Sequence, residues 1–169
     1  MAKEIERRFL LRDDSWKRET TSFHCFRQAY IPVIPGEKHI VVRIRVTDEK
    51  AFLTLKGSCV PGSFSKSEFE YPIPPEDACA MLEEFCGNRV EKKRYIVERP
   101  PFRWEIDEFQ GENAPLCIAE IELPSEETSF PRPAWLGREV TDDHKYSNSF
   151  LALHPYPSWE KQDRERDTQ

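Results

Sequence analysis

The chain has 169 residues and a formal net charge of -6 at pH 7, with 38% hydrophobic and 33% charged residues. This length suits one domain with a core of its own, and the acidic balance argues against a broad nucleic-acid-binding surface. No apolar run is long enough to span a membrane, and no secretory leader is recognisable. We therefore expect a cytoplasmic protein with neither a membrane nor a nucleic acid as partner.

Short segments of alternating polar and apolar residues, separated by turn signals, run through most of the chain. They predict eight β-strands, at residues 2–11, 25–31, 40–47, 51–56, 66–73, 91–98, 102–109 and 116–123. Apolar residues at a spacing of three to four predict helices at 75–86 and 143–153, with a short helix at 14–19. A single domain is expected to span 1–157, followed by a polar tail at 158–169. Eight short strands favour an antiparallel barrel or sandwich.

The cysteines and histidines do not form the patterns of a cross-linked or zinc-binding protein. The five cysteines are odd in number and include no C-x-x-C pair, so reduced thiols are expected. The four histidines lack the H-x-x-x-H spacing of a helical metal site. A metal ion bound by this chain would therefore need oxygen ligands.

Charged side chains fall on one face of nearly every predicted strand, because residues i and i+2 of a strand point to the same side. Many of these charges form doublets of one sign, as in the Arg43 and Arg45 pair and the Glu120 and Glu122 pair. Like charges on one face, about 7 Å apart, destabilise a sheet unless something neutralises them. The pattern therefore points to a neutralising ligand.

Two arrangements of these charged faces are open. In a sandwich, the charged faces would meet water. In a closed barrel with its charged faces inward, the lumen would hold eight acids and eight bases. The acids would be Glu4, Glu6, Glu68, Glu70, Glu105, Asp107, Glu120 and Glu122. The bases would be Arg8, Arg43, Arg45, Lys56, Lys66, Lys92, Arg94 and Arg103. Because like-charge doublets occur on most of the predicted strands, the closed barrel is favoured over the sandwich.

A metal-bound polyphosphate would satisfy both sets of charges in that lumen. Arginine and lysine match phosphate oxygens through charge-assisted hydrogen bonds. Carboxylates match hard cations such as Mg²⁺ or Mn²⁺, which take oxygen ligands. Neither a bare cation nor a bare anion would neutralise both sets.

Seven motifs also follow one another in the order found in the triphosphate tunnel metalloenzymes, or CYTH superfamily, which this chain resembles over about residues 2–153. The first, Glu4-Ile5-Glu6-Arg7-Arg8, resembles the family signature E-x-E-x-K. The others resemble the R-x-R, T-x-K-G, basic-x-E-x-E, K-x-R-Y, W-E-x-D and A-E-x-E-L strands. They are Val42-Arg43-Ile44-Arg45, Thr54-Leu55-Lys56-Gly57, Lys66-Ser67-Glu68-Phe69-Glu70, Lys92-Lys93-Arg94-Tyr95, Trp104-Glu105-Ile106-Asp107 and Ala119-Glu120-Ile121-Glu122-Leu123.

The resemblance implies a mainly β fold, an eight-stranded antiparallel closed β-barrel that forms a charged tunnel with helices packed outside. It also implies metal-dependent hydrolysis of a triphosphate, most simply of inorganic tripolyphosphate to pyrophosphate and phosphate. The expected substrate-binding residues are Arg8, Arg43, Arg45, Lys56, Lys66, Lys92 and Arg94. The expected ligands of Mg²⁺ or Mn²⁺ are Glu4, Glu6, Glu68, Glu70, Asp107, Glu120 and Glu122.

One position departs from the family signature, because Arg8 stands where the family has lysine. Arginine keeps the positive charge and can bind phosphate, but it does not readily lose a proton. The catalytic candidates are therefore Arg8, Lys56 and Lys92, and the sequence leaves the identity of the base open.

Other functions remain alternatives to hydrolysis of inorganic tripolyphosphate. The same tunnel could serve a class IV-type adenylate cyclase or a thiamine triphosphatase. As a non-enzyme, it could be a module that binds polyphosphate or a nucleotide without turnover. In each case the partner is a small molecule that contains a triphosphate or polyphosphate, and the protein is expected to be a monomer or a homodimer.

Overall fold

The computed structural model describes residues 5–33, 40–57 and 68–160. Nine strands make up most of this part of the chain. They are β1 (Ile5–Leu11), β2 (Thr20–Ile31), β3 (Ile40–Val46), β4 (Ala51–Gly57), β5 (Glu68–Ile73), β6 (Arg89–Arg99), β7 (Phe102–Gln110), β8 (Cys117–Leu123) and β9 (Leu136–Glu139). The α-helices are α1 (Pro75–Glu84) and α2 (Asn148–Leu153), and short 3-10 helices occur at Ser15–Glu19, Gly111–Asn113, His144–Tyr146 and Tyr156–Ser158.

All nine strands belong to one antiparallel sheet, in the order β5-β4-β3-β2-β6-β7-β8-β1-β9. Two expectations about this sheet are wrong. The described residues form nine strands rather than eight, because the four-residue β9 adds to β1. The sheet is also not closed by hydrogen bonds within the described residues, since β5 and β9 are its two edges. The mainly β, antiparallel character is confirmed.

The other predicted elements occur with shifted ends. Strand β2 begins at Thr20, five residues earlier than expected, and the predicted C-terminal helix divides into a 3-10 turn and α2. The residues expected at the start of the first and fifth strands, 2–4 and 66–67, lie outside the described part. So do residues 161–169 of the predicted tail. None of the helices in the described ranges is both long and apolar enough to cross a membrane.

Helix α1 begins where its sequence predicts and ends at Glu84, two residues before the predicted end. Pro75 stands at the first helical position, and Glu76 and Asp77 lie in the first turn, where acidic side chains favour the helix dipole. Its buried residues Ala78 and Leu82 face the outer surface of β2, β3 and β4. One hydrophobic cluster therefore lies between α1 and this half of the sheet.

A second apolar cluster covers the outer surface of the other half of the sheet. Aromatic rings dominate it, with the Trp104 ring centroid 5.4 Å from that of Trp135 and 5.9 Å from that of Phe9. Trp16, from the 3-10 helix after β1, is also fully buried there. The residues of these strands that alternate with the charged positions therefore lie on the outer face, as the sequence pattern requires.

The third cluster lies on the inner face of the sheet at one end and is called here the apolar floor. Its strand residues are Leu10, Val90, Phe109 and Ile118. They continue the inner faces that carry Arg8, Lys92, Asp107 and Glu120, two positions away along each strand. The C-terminal segment packs on them through Tyr146, Leu151, Ala152, Tyr156 and Trp159. This segment therefore covers one end of the space that the sheet encloses.

Strand β9 approaches β1 closely. A Cβ atom added to Gly137 would lie 2.8 Å from the backbone oxygen of Leu10, so glycine is required at this contact. Further along, the Arg8 amide donates to Oγ1 of Thr141 (3.1 Å), and the Val140 amide donates to the Arg8 carbonyl (2.8 Å). These contacts fix the backbone of Arg8 from the edge of the sheet.

Candidate active site

The inner face of the sheet encloses a cavity of about 1070 Å³. Strands β1 and β5 both contribute to its wall although six strands separate them in the sheet, so the sheet curves around this space. Charged side chains on its wall are Glu6, Arg8, Arg43, Arg45, Lys56, Glu68, Glu70, Lys92, Arg94, Arg103, Glu105, Glu120 and Glu122. The charged faces therefore point inward, and the sandwich alternative is excluded.

This cavity brings together eleven of the fourteen positions assigned from the sequence to substrate, metal or catalysis. Of the remaining three, Glu4 and Lys66 lie outside the described residues. The third, Asp107, is fully buried behind the wall rather than part of the lining. Its position gives it a supporting role, described below.

One side of the cavity is built around Glu70, on β5. Its Oε2 accepts hydrogen bonds from Arg43 (3.2 Å), Arg45 (2.8 Å) and the Thr54 hydroxyl (2.9 Å). Next to it, Glu68 pairs with Lys56 at 2.8 Å. These side chains come from three adjacent strands, so the cross-strand register sets their spacing. The result is a cluster of three bases held by two carboxylates.

Two donors in this cluster have no acceptor. The Nε atoms of Arg43 and Arg45 are buried and make no hydrogen bond to the described protein. Burial and the neighbouring charge of Arg43 lower the pKa of Arg45. Buried donors without acceptors are rare and destabilising in native proteins. An anionic ligand that supplies oxygen atoms would relieve both groups.

The opposite wall is built around Arg94, on β6. Its guanidinium donates to Glu105, to both carboxylate oxygens of Asp107 and to Oε2 of Glu120 (2.7 Å). Asp107 also accepts from Nζ of Lys92, and both side chains of that pair are almost completely buried. Asp107 therefore orients two bases at once.

Burial alone would raise the pKa of Asp107, but the charges of Lys92 and Arg94 outweigh it and lower that pKa to about 2. For Lys92, burial acts first and the Arg94 charge second, and together they lower its pKa despite the nearby Asp107. The wall therefore keeps Asp107 ionised and makes the Lys92 ammonium easier to deprotonate.

Between these walls, Arg8 lies beside two carboxylates. Its Nε donates to Oε1 of Glu6 at 2.7 Å and lies 3.6 Å from Oε1 of Glu120. Burial raises the pKa of Glu120 to about 7, against the charge of Arg94 and with the help of the charges of Glu6 and Asp107. For Glu6, burial is outweighed by the Arg8 guanidinium, so its pKa is lowered. Burial therefore makes the charged form of Glu120 costly, whereas the Arg8 guanidinium favours the charged form of Glu6.

The same carboxylates are the best candidates for holding a cation. Glu6 and Glu122 are direct cross-strand partners, and Arg8 and Glu120 are the next pair along β1 and β8. Their donor atoms are carboxylate oxygens, which hard divalent cations prefer. No three acidic, histidine or cysteine side chains in the described ranges already surround one point as a metal site. The donor set thus fits a cation whose remaining ligands come from substrate or water.

Sequence reasoning missed several residues of this wall. Gln28 and Tyr30, on β2, line the cavity, as does the segment from Ser147 to Ser149 at the start of α2. The Phe26 ring lies 5.6 Å from Arg94 and 5.8 Å from Arg45, measured to the guanidinium carbon. Alternation along β2 would have put Phe26, Gln28 and Tyr30 on the face of the charged doublets. They were missed because that argument followed charged residues only.

Comparison with known proteins assigns the family. The CYTH domain model matches residues 2–150. This chain belongs to the CYTH family. That match covers most of the 169 residues and includes every strand of the cavity wall.

Curated CYTH relatives are named for one activity. The chain is 43% identical, over 95% of its own length and all of the relative's, to a protein named inorganic triphosphatase from Acetivibrio thermocellus. It is 35% identical to an inorganic triphosphatase from Nitrosomonas europaea, over 89% of this chain and 97% of the relative. A crystal structure of an inorganic triphosphatase aligns with a TM-score of 0.67 and 32% identity, covering 90% of this chain and 96% of the other.

Proposed function

We propose that this protein hydrolyses inorganic tripolyphosphate to pyrophosphate and phosphate with the help of a divalent cation. The main support for this proposal is the composition of the cavity wall, whose described residues include seven bases and six carboxylates. A polyanion and a cation together match such a wall, whereas either one alone would leave half of it unpaired. The names of the relatives support the same activity.

The basic side chains of the cavity are the proposed substrate-binding groups. Arg43, Arg45 and Lys56 lie on one wall and Lys92 and Arg94 on the other, so a phosphate chain between them meets positive charge on both sides. Arg8 and Lys66 complete the proposed substrate-binding set. Ion pairs with carboxylates, such as those of Arg43, Lys56 and Arg94, hold the described bases in place before the substrate binds.

The cation, Mg²⁺ or Mn²⁺, is assigned to Glu6, Glu120 and Glu122, with Glu4, Glu68 and Glu70 as further candidates. When bound, it would supply Lewis acidity toward phosphate oxygens and lower the pKa of a coordinated water. The protein's own contribution is to place these carboxylates close to the bases. Burial is the main cause of the raised pKa of Glu120, with the charge of Glu6 a lesser one, and a cation bound beside both carboxylates would favour their ionised forms.

The proton released from the attacking water needs an acceptor. Arg8 is a poor one because guanidinium stays protonated. Nζ of Lys92 is the better candidate because burial and the Arg94 charge lower its pKa, and Asp107 holds it in place. Arg8 then acts through its charge, on the phosphate and on Glu6. Lys56, the other candidate, pairs with Glu68 in a more exposed position.

The reaction is tested with purified protein and three substrates, inorganic tripolyphosphate, ATP and thiamine triphosphate, each with Mg²⁺ or Mn²⁺. Phosphate and pyrophosphate should appear from tripolyphosphate at the highest kcat/KM. Cyclic AMP from ATP would instead identify a cyclase, and preferred cleavage of thiamine triphosphate would identify that hydrolase. Tight binding of tripolyphosphate with no product would identify a binding module and overturn the proposal.

A further inference from the structure

Arg103, on β7, lies at the end of the cavity farthest from the apolar floor. From the floor outward, the inner face of β7 carries Phe109, Asp107, Glu105 and Arg103, because alternate residues of a strand share a face. The C-terminal segment covers the end of the cavity at the floor. Arg103 therefore lies at the opposite end, which is called here the entrance.

Arg103 differs from the deeper bases of the wall in exposure and in pairing. Its side chain is 53% exposed, whereas that of Arg94 is 17% exposed and that of Arg43 is 12% exposed. The nearest carboxylate oxygens belong to Glu105 at 3.7 Å and to Glu98 at 3.9 Å, and both lie beyond hydrogen-bonding distance. The guanidinium is therefore loosely held, and its positive charge is accessible to solvent at the entrance.

A polyanion that approaches this protein meets negative charge first. The chain has a formal net charge of -6 at pH 7, and exposed like charges repel one another over a Debye length of about 10 Å at 0.1 M ionic strength. Deeper bases are paired with carboxylates, as Arg45 is with Glu70. Two carboxylates of the wall, Glu6 and Glu122, are themselves exposed. The exposed positive charge of Arg103 therefore lies where it can offset this repulsion.

We propose that Arg103 is an entrance residue that speeds the association of inorganic polyphosphate with the cavity by electrostatic attraction, and that Glu98 partly offsets this attraction. The inference rests on the proposed function, since it takes a polyphosphate as the ligand of the cavity. A charge at the rim of a binding site acts mainly on the association rate constant and on its salt dependence. Glu98 lies outside the cavity lining and 3.9 Å from Arg103, so its negative charge weakens the attraction at the entrance.

Arg103→Gln tests the attraction, with inorganic tripolyphosphate as the probe and no divalent cation, so that binding is measured without turnover. The heat-flow time course of titration calorimetry gives both Kd and the association rate constant. At about 0.01 M ionic strength, where the Debye length is about 30 Å, we expect Arg103→Gln to lower the association rate constant roughly two- to fivefold. The dissociation rate constant should stay within about twofold of the wild-type value. The difference in association should disappear near about 1 M salt.

Arg27→Gln is the matched control for net charge, because Arg27 is exposed on β2 and lies outside the cavity lining. Its association rate constant should remain close to that of the wild type. An equal decrease in both variants would show that net charge alone acts, and it would overturn the role of Arg103. A faster dissociation of Arg103→Gln with unchanged association would overturn it as well, because Arg103 would then contact the bound ligand.

Glu98→Gln provides the reciprocal test. Removal of this carboxylate should raise the association rate constant roughly twofold at low ionic strength, because Arg103 then attracts the probe without the offsetting charge. Glu112→Gln removes the same charge from an exposed 3-10 turn outside the cavity lining, and it should behave as wild type. Wild-type association in Glu98→Gln would refute the offsetting role of Glu98. Circular dichroism would verify that each variant is folded.

The outcomes separate this inference from the proposed function. A wild-type protein that binds tripolyphosphate without cleaving it, and more slowly after Arg103→Gln, would overturn hydrolysis while the role of Arg103 stands. A wild-type protein that cleaves tripolyphosphate, with association unchanged after Arg103→Gln, would overturn the role of Arg103 while hydrolysis stands.

Discussion

Arg8 and Glu120 face each other as cross-strand partners on β1 and β8, with Nε of the guanidinium 3.6 Å from Oε1 of the carboxylate. The same Nε donates to Glu6 at 2.7 Å. Arginine at this position therefore interacts with two carboxylates at once, and its positive charge faces the cavity. This geometry assigns Arg8 an electrostatic role that does not require it to lose a proton.

Substitutions of Arg8 test that role. Arg8→Lys keeps the charge and should retain kcat/KM for tripolyphosphate to within about tenfold, whereas Arg8→Ala should lose about 100-fold, as for a lost transition-state donor. Steady-state kinetics from pH 6 to 10 measure both. If Arg8→Ala retains full activity, the guanidinium does not contact the phosphate chain.

The alternation of charge along the strands predicted which residues share the charged face of this site. Arg43, Arg45 and Glu70 were assigned to one enclosed surface because a strand alternates its faces, and backbone geometry guarantees that alternation. Whether the strands enclosed a space depended on the curvature of the sheet. That property arises from packing between distant elements, and here it was supported in advance by the family resemblance.

Other features could not be read from the local pattern. Strand β9 is only four residues long and follows a proline-rich stretch, so its pairing depends on the close approach of Gly137 to Leu10. Asp107 shares the inward face of β7 but is buried behind Lys92 and Arg94, because those long side chains cover it. Alternation gives the face of a residue but not its depth.

Glu6 should be essential for activity without being essential for folding. Glu6→Gln keeps the size and one oxygen of the side chain but removes the charge that a cation would need. We expect at least about a 100-fold loss of metal-dependent phosphate release, with little change in Tm. Glu112→Gln, on an exposed 3-10 turn, is the control. Full activity in Glu6→Gln would remove Glu6 from the cation site.

Asp107 should contribute strongly to the stability of the fold. Asp107→Asn leaves Lys92 and Arg94 without their buried counter-charge, and breaking such a buried pair typically costs about 3–5 kcal/mol of unfolding free energy. Urea denaturation measures the loss, with exposed Asp142→Asn as the control. An effect below 1 kcal/mol, on the scale of surface pairs, would show that water replaces the carboxylate.

The pH dependence of that loss follows from the lowered pKa of Asp107. The unfolded carboxyl titrates near 3.8 and the folded one near 2. Its contribution to stability is therefore complete above the unfolded pKa and disappears as the pH falls through the folded pKa. The difference between wild type and Asp107→Asn should shrink from pH 5 toward pH 2.

The contribution of Glu120 to stability should depend on pH in the opposite direction to that of Asp107. Its pKa rises from 4.5 in the unfolded chain to about 7 in the folded protein, so the folded state binds the proton more tightly. Stability measured without divalent cations should therefore fall as the pH rises from 4.5 to 7. Glu120→Gln should remove this fall and stabilise the protein at pH 8 by on the order of 3 kcal/mol. Equal stability of both proteins at pH 8 would contradict the raised pKa.

The contact between β9 and β1 predicts a stability difference between two glycines. Gly137→Ala would place Cβ 2.8 Å from the Leu10 oxygen and should destabilise the protein by about 1–3 kcal/mol. Gly87→Ala meets nothing within 4 Å, so its effect should lie between zero and a slight gain. Thermal melts of both variants measure the difference. Equal Tm values would mean that β9 can move away from β1 freely.

Alternate residues of the same strands have different roles. Those on the outer face form apolar clusters that stabilise the fold, and those on the inner face carry the charges of the cavity. On β7, Trp104 and Ile106 belong to the outer cluster, while Glu105 lines the cavity between them. An evolving lineage can therefore retune its chemistry at every second position while the neighbours that maintain the fold stay as they are. Such an architecture is suited to diversification, because new specificities need not await a rebuilt core.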